Sequence, residues 1–250
     1  MLCNARELRP ISTLQPLQDW TGIWERHLDG YLAAPPRAGI IISQMLNGDF
    51  ETVLEIACGS GRDSLFLARS GKAVTATDYN QDVISRLRGL FPHEPMIDFR
   101  VDSADALSFQ KQRFDVSFHN GFFGYFHDNT VIQSLLQEQC RVTRKHALFF
   151  VHNRRNHNLK ERFDVLSCHD SLYALRFFTS EELLAIVKAS NVNYSKIKIG
   201  KFGGPVDILL SRKLKGVANP LCHLAQGQLN TLYGLTPLSL AEKLVCQISF

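Results

Sequence analysis

The chain has 250 residues, 45% of them hydrophobic, and carries a formal net charge of +4. That length and apolar content support one large domain with a full core, and so mild a charge does not suggest the concentrated basic face of a nucleic-acid binder. The longest aliphatic stretch, Ala38 to Leu46 with polar interruptions, falls far below the roughly twenty residues needed to span a bilayer.

In chain order, Arg6 and Arg9 are followed by no apolar core, which speaks against a secretory signal. Trp20, Trp24, His27 and Tyr31 recur at helical steps and predict a helix with one aromatic face, suited to core packing or to the wall of a site. Thr52 to Ile56 reads as a short buried strand, and Leu65 to Ala68 continue at helical density, so a strand becomes a helix within a few residues. Gly59 and Gly61 allow positive φ in that turn and let a ligand approach the backbone. The helix starting near Gly61 offers unpaired N–H groups and the positive end of its dipole, a setting for a carboxylate or phosphate.

A second apolar run, Ala73 to Thr77, ends in Asp78, where a carboxylate can accept hydrogen bonds from both hydroxyls of a ribose. The third, Ile97 to Val101, leads into Asp102, Ser103, Ala104 and Asp105, an acidic and polar strand end that can meet an exocyclic amine. The fourth begins at Phe114 and breaks at Asn120 and Gly121 into a loop carrying Phe122, Phe123, Tyr125 and Phe126. Asp128 can cap a helix bearing Val131, Ile132, Leu135, Leu136 and Cys140, and a fifth strand runs from His146 to Asn153. The basic stretch His152 to Arg162 reads as a solvated loop. Thr179 with Glu182 forms a capping box for a further amphipathic helix. Asn193 to Lys201 and Val206 to Arg212, separated by Gly203, Gly204 and Pro205, predict a closing hairpin, and the remainder from Leu214 ends in a short, helix-like apolar run.

This alternation implies an α/β fold with a doubly wound, mostly parallel sheet and one reversed strand. A glycine turn followed by an acidic strand end suits two cofactor classes, nicotinamide dinucleotides and S-adenosylmethionine. The dinucleotide fingerprint needs glycine or alanine where Ser64 stands, which favours the second.

Taken together, Glu55-Ile-Ala57-Cys-Gly59-Ser-Gly61, Asp78, Asp102-Ser103 and Asn120-Gly121 resemble the motifs of the class I S-adenosylmethionine-dependent methyltransferases. Gly61 to Asn80 is similar to the version found in small-molecule members of the thiopurine and tellurite type. Ala57 replaces the first glycine of the strictest pattern, a change that family often tolerates. The resemblance implies a seven-stranded sheet of order 3-2-1-4-5-7-6 with strand 7 antiparallel. It places that domain at residues 40–213, with 1–39 as an N-terminal helical extension able to serve as a lid and 214–250 as a C-terminal tail. It also implies S-adenosylmethionine as the cofactor, its methionine part held by Glu55, Ala57, Gly59 and Gly61 and its ribose by Asp78 with Tyr79 beside it. Asp102 and Ser103 then meet the adenine, and Asn120 and Gly121 lie beneath the methyl donor.

Methyl transfer from a sulfonium is an in-line displacement, so the protein must align the acceptor and keep water out. A hydroxyl acceptor also needs a base. His119 and His152, at the ends of the fourth and fifth strands, are the candidates, because ligands of open α/β sheets bind at those ends and histidine titrates near neutrality. Phe122, Phe123, Tyr125 and Phe126 supply an aromatic floor. The expected activity is methyl transfer to an oxygen or nitrogen of a small molecule. A nucleic-acid or protein acceptor is the alternative, although Asn120 and its following aromatics lack the two prolines of base-amino methyltransferases. A non-catalytic cofactor-binding or assembly protein is the second alternative. His152 and His157 have neither a cysteine pair nor an H-E-x-x-H arrangement nearby, so no metal is expected. Six cysteines without a C-x-x-C pair, one of them Cys58 inside the glycine turn, fit a reduced, cytoplasmic protein. No motif fixes an oligomeric state.

Overall fold

One sheet organises the computed structural model, which describes residues 20–205 and 232–250. Its strands are β1 (Thr52–Ile56), β2 (Ala73–Asp78), β3 (Ile97–Val101), β4 (Phe114–Asn120), β5 (Thr143–His152), β6 (Lys196–Phe202) and β7 (Lys243–Ser249). They lie in the order β3-β2-β1-β4-β5-β7-β6, as expected. Every neighbouring pair is parallel except those of β7, which runs antiparallel to β5 and to β6.

The helices are α1 (Trp20–Ala33), α2 (Arg37–Met45), α3 (Arg62–Arg69), α4 (Gln81–Leu90), α5 (Asn129–Val142), α6 (His157–Ser167) and α7 (Ser180–Ala189). None of the described helices is long and apolar enough to cross a membrane. Side chains that alternate along each strand feed a core on both faces of the sheet. Leu54, Phe149, Val151 and Leu183 belong to the face covered by α5 and α7, whereas Val53, Phe118, Leu148 and Phe150 belong to the face covered by α2 and α3. A third cluster, with Leu28, Ile84, Leu87 and Phe99, joins α1 and α4 to the sheet.

The capping signals act as expected. Asp128 accepts the N–H of Thr130 at the start of α5, and Thr179 and Glu182 form the reciprocal box that opens α7. Two expectations need correction. The basic stretch after β5 is partly helical, because the Asn156 side chain accepts the Leu159 N–H and starts α6. The closing strand β7 comes from residues 243–249, so the sheet takes in the end of the segment set apart as a tail, and its apolar run is a strand rather than helix-like.

Two-sided burial explains that outcome. Leu244, Cys246 and Ile248 enter the core under α5 and α7, and Val245 enters the opposite one, a pattern that one helix face cannot supply. The proposed partner strand Val206–Arg212 lies outside the described residues, as do residues 1–19 and the tail through residue 231.

Candidate active site

The turn between β1 and α3 depends on left-handed backbone at Ala57 (φ 52°), Gly59 (φ 53°) and Gly61 (φ 64°). Gly59 and Gly61 serve different ends. A methyl group on Gly59 would stand 2.2 Å from Cζ2 of Trp24, so the absence of a side chain lets α1 close over the turn. A methyl group on Gly61 would stand 2.9 Å from Phe99, so this glycine shapes the packing behind the turn and is not among the cavity walls.

Glu55, at the end of β1, is buried and accepts the Ser64 backbone N–H at 3.2 Å as well as the Ser64 hydroxyl at 2.5 Å. Ser64, the residue that breaks the dinucleotide fingerprint, is therefore the polar partner of a buried carboxyl. Burial, reinforced by the charge of Asp63, pushes the Glu55 carboxyl well above the usual carboxylate range. Both acids line the cavity, so an incoming ammonium would find two carboxyl groups to stabilise it.

Asp78, at the end of β2, accepts the Gly59 N–H at 2.9 Å and the Asn80 N–H at 3.0 Å. Burial raises its pKa despite those amides. Tyr79 is half-exposed and lies on the cavity wall beside it. Asp102 lines the cavity beyond β3, where the Ser103 N–H, the Ser108 N–H and the Ser108 hydroxyl fix its carboxylate. Ser103 itself turns its hydroxyl to Asp105 and is not a wall residue.

These groups border a cavity of about 590 Å³ along the carboxyl ends of the parallel strands, where open α/β sheets bind ligands. Trp20, Trp24, His27 and Tyr31 of α1 form its roof, so the aromatic face predicted for the N-terminal extension points inward. Phe122, Tyr125 and Phe126 form the floor, with Trp20 edge-on to Tyr125 at 4.8 Å. Phe163 of α6 and Tyr173, edge-on to each other at 5.3 Å, close one side.

The two candidate bases separate. His119 does not line the cavity, because strand alternation turns its ring away from the site and against Phe123 and Phe149. Both of its ring nitrogens are buried without a partner among the described residues, and burial lowers its pKa to about 3. His119 is therefore in no position to act as a base in the cavity. His152 does line the cavity, held between Phe163 and Phe177. Burial, then the nearby Lys243 charge, lowers its pKa to about 3, so it stays neutral and is better placed to hold a hydrogen bond than to titrate.

Sequence reasoning missed a polar network under Asn120. The Asn120 amide donates to Asp63 Oδ2 at 3.2 Å, and the Gly39 N–H donates to Asp63 Oδ1 at 3.0 Å. Lys243 donates to Asn120 Oδ1, and beside it Arg37 grips Glu242 through two hydrogen bonds of 2.7 and 2.8 Å. Lys243, Arg37 and Glu242 all line the cavity. No motif marks them: Lys243 is a single cation opening an apolar strand that the sequence pattern did not assign to the sheet.

The fold and this turn are similar to those of the class I, S-adenosylmethionine-dependent methyltransferases. Residues 53–146, from β1 into β5, match the family model described as a methyltransferase domain. Among solved structures, an S-adenosylmethionine-dependent methyltransferase of Thermotoga maritima is 14% identical, with a TM-score of 0.59 over 91% of this chain and 98% of its own. One from Archaeoglobus fulgidus is 15% identical, with a TM-score of 0.58 over 93% and 100%. The [4+2]-cyclase SpnF, 12% identical, has a TM-score of 0.59 over 92% of each chain. No curated protein matches the chain.

The site's chemistry fits S-adenosylmethionine. An acid pair stands where an ammonium can reach it, a carboxylate closes the end of β2, and the glycine turn leaves the backbone open between them.

Proposed function

We propose that the protein methylates an oxygen or nitrogen of a small, flat and largely apolar molecule. The observation that carries this reading is the aromatic enclosure, in which Trp20, Trp24 and Tyr31 above face Phe122, Tyr125 and Phe163 around a cavity open to the cofactor turn. Aromatic walls recognise planar ligands through stacking and edge contacts while holding water away. The cofactor, when bound, supplies an electrophilic methyl group on a sulfonium. Glu55 and the Ala57–Gly59 backbone would hold its amino-acid end, Asp78 and Tyr79 its ribose, and Asp102 its base. Gly61 shapes that turn from behind, and Asn120 with Gly121 forms the shelf under the methyl group. His152 would orient the acceptor hydroxyl or amine by accepting its hydrogen.

A nucleic-acid acceptor gains no support from Asn120, because its carbonyl already accepts from Lys243 and its amide already donates to Asp63. A cytoplasmic setting is supported by the free thiols of Cys58, Cys140, Cys168 and Cys246.

Incubating the protein with radiolabelled S-adenosylmethionine and fractionated cell extract tests the reading. Label should enter the low-molecular-mass organic fraction. Label confined to RNA, DNA or protein would sink it.

A further inference from the structure

Lys243 presents a problem that the described residues do not solve. Its side chain is buried at the cavity wall, where β7 begins beside the end of β5. An ammonium has three hydrogens to donate, and here one goes to the neutral carbonyl of Asn120. Among the described residues no carboxylate lies within 4.0 Å of it, since Glu242 is taken by Arg37 and Asp63 by Gly39 and Asn120. Burial lowers its pKa to about 8; the Glu242 charge, and after it that of Asp63, resists that fall, while Arg37 and Arg62 add to it. A buried cation with a single neutral acceptor, whose neighbouring carboxylates Glu242 and Asp63 are each held by other groups while Arg37 and Arg62 add positive charge, has room for an anion.

We propose that Lys243 is the anchor for a ligand carboxylate, which enters the cavity and completes the ammonium's coordination. The inference rests on the methyltransferase reading above and deepens it. Two molecules of that reading can bring a carboxylate: the amino-acid end of the cofactor, or an acidic acceptor. The cofactor is favoured, because Glu55 lines the same cavity and, with Ser64 on only one of its oxygens, would take the amino group while Lys243 takes the carboxylate. The two ends of one zwitterion would then be read by opposite charges. Arg37 is a poorer candidate for the same task, since Glu242 already occupies its guanidinium fork.

The test compares wild type, Lys243→Met and Lys243→Arg by calorimetry with S-adenosylhomocysteine and with 5′-methylthioadenosine, which keeps the nucleoside thioether but lacks the amino-acid end. Lys243→Met should weaken S-adenosylhomocysteine about 10- to 100-fold, the range for a hydrogen bond between charged groups, and leave 5′-methylthioadenosine unchanged. Lys243→Arg should recover much of the loss. If S-adenosylhomocysteine binding is unaltered, the protein saturated with it is titrated with 4-hydroxybenzoate. Binding by wild type alone assigns the carboxylate to the acceptor, and no difference between wild type and Lys243→Met with either probe overturns the proposal.

A second readout separates an anchor from a structural lysine. Ligand-free Lys243→Met should melt above wild type, because it removes a buried charge that lacks a counter-ion, and a lower melting temperature overturns the proposal. Failure of wild type to bind S-adenosylhomocysteine at all would instead refute the methyltransferase reading itself.

Discussion

Ala57 occupies a conformation that glycine adopts freely and alanine does not. Its φ of 52° costs an L-residue roughly 1–2 kcal/mol, and the turn holds it there because the chain must leave β1 and enter α3 at once. Ala57→Gly should therefore stabilise the protein by about 0.5–1 kcal/mol, since glycine's larger unfolded-state entropy returns part of the gain. Urea denaturation would measure it, and a loss of stability would show that the alanine methyl makes contacts worth more than the strain. His119 offers a sharper contrast with what its position in the sequence suggested. Its nitrogens are buried without partners, so His119→Phe should gain on the order of 1–3 kcal/mol and leave kcat unchanged. A large fall in kcat with the fold intact would restore His119 to the site. Asp78 is the residue where sequence and geometry agree most closely. Asp78→Ala should weaken S-adenosylmethionine at least tenfold in calorimetry, through loss of both the carboxylate and the acceptor of the Gly59 amide.

At the scale of elements, strands announced by short apolar or alternating runs were legible to within a few residues. β1 and β3 coincide with the runs Thr52–Ile56 and Ile97–Val101 that the sequence singles out. β1 is buried along nearly its whole length, while β3 at the sheet edge alternates apolar Ile97, Phe99 and Val101 with exposed Asp98 and Arg100, and each pattern marks a strand. Charged side chains that tie one strand to another left no such trace. Asp115, on β4, accepts from the backbone N–H groups of Glu51 and Thr52 at the entry of β1 and from Arg144 of β5. Burial alone would raise its pKa, but Arg144 and the two amides prevail and hold the carboxyl at about 2, below its ordinary 3.8. A depressed acid stabilises the fold above its unfolded pKa, and that contribution is lost as pH falls through the folded value. Asp115 should thus contribute on the order of 2 kcal/mol at neutral pH, fading between about pH 4 and pH 2. Asp115→Asn should flatten that part of the stability curve measured by urea midpoints from pH 6 to pH 2, and an unchanged pH profile would refute the assignment.

Over the whole molecule, the cavity wall along β1 to β3 was readable because a turn, two acidic strand ends and a strand break stand in fixed order along the chain. The half around Asn120 was only partly readable. There the walls come from α1, α6 and the start of β7, elements far apart in sequence whose meeting depends on the sheet order rather than on any local motif. β7 shows the cost of counting strands locally: Val206–Arg212 follows β6 after a glycine pair and looked like its hairpin partner, whereas residues 243–249 complete the sheet. A chain ending at residue 213 provides the test. It would lack Leu244, Val245, Cys246 and Ile248, all buried between β5 and β6. At about 1.5–3 kcal/mol for each large aliphatic side chain, their burial rivals the 5–15 kcal/mol by which a whole domain is stable. Without them β6 also loses its only neighbour in the described sheet. The shortened chain should therefore show no cooperative unfolding in urea while the full chain does. A sharp two-state transition in the fragment would mean that residues 206–212 can close the sheet after all.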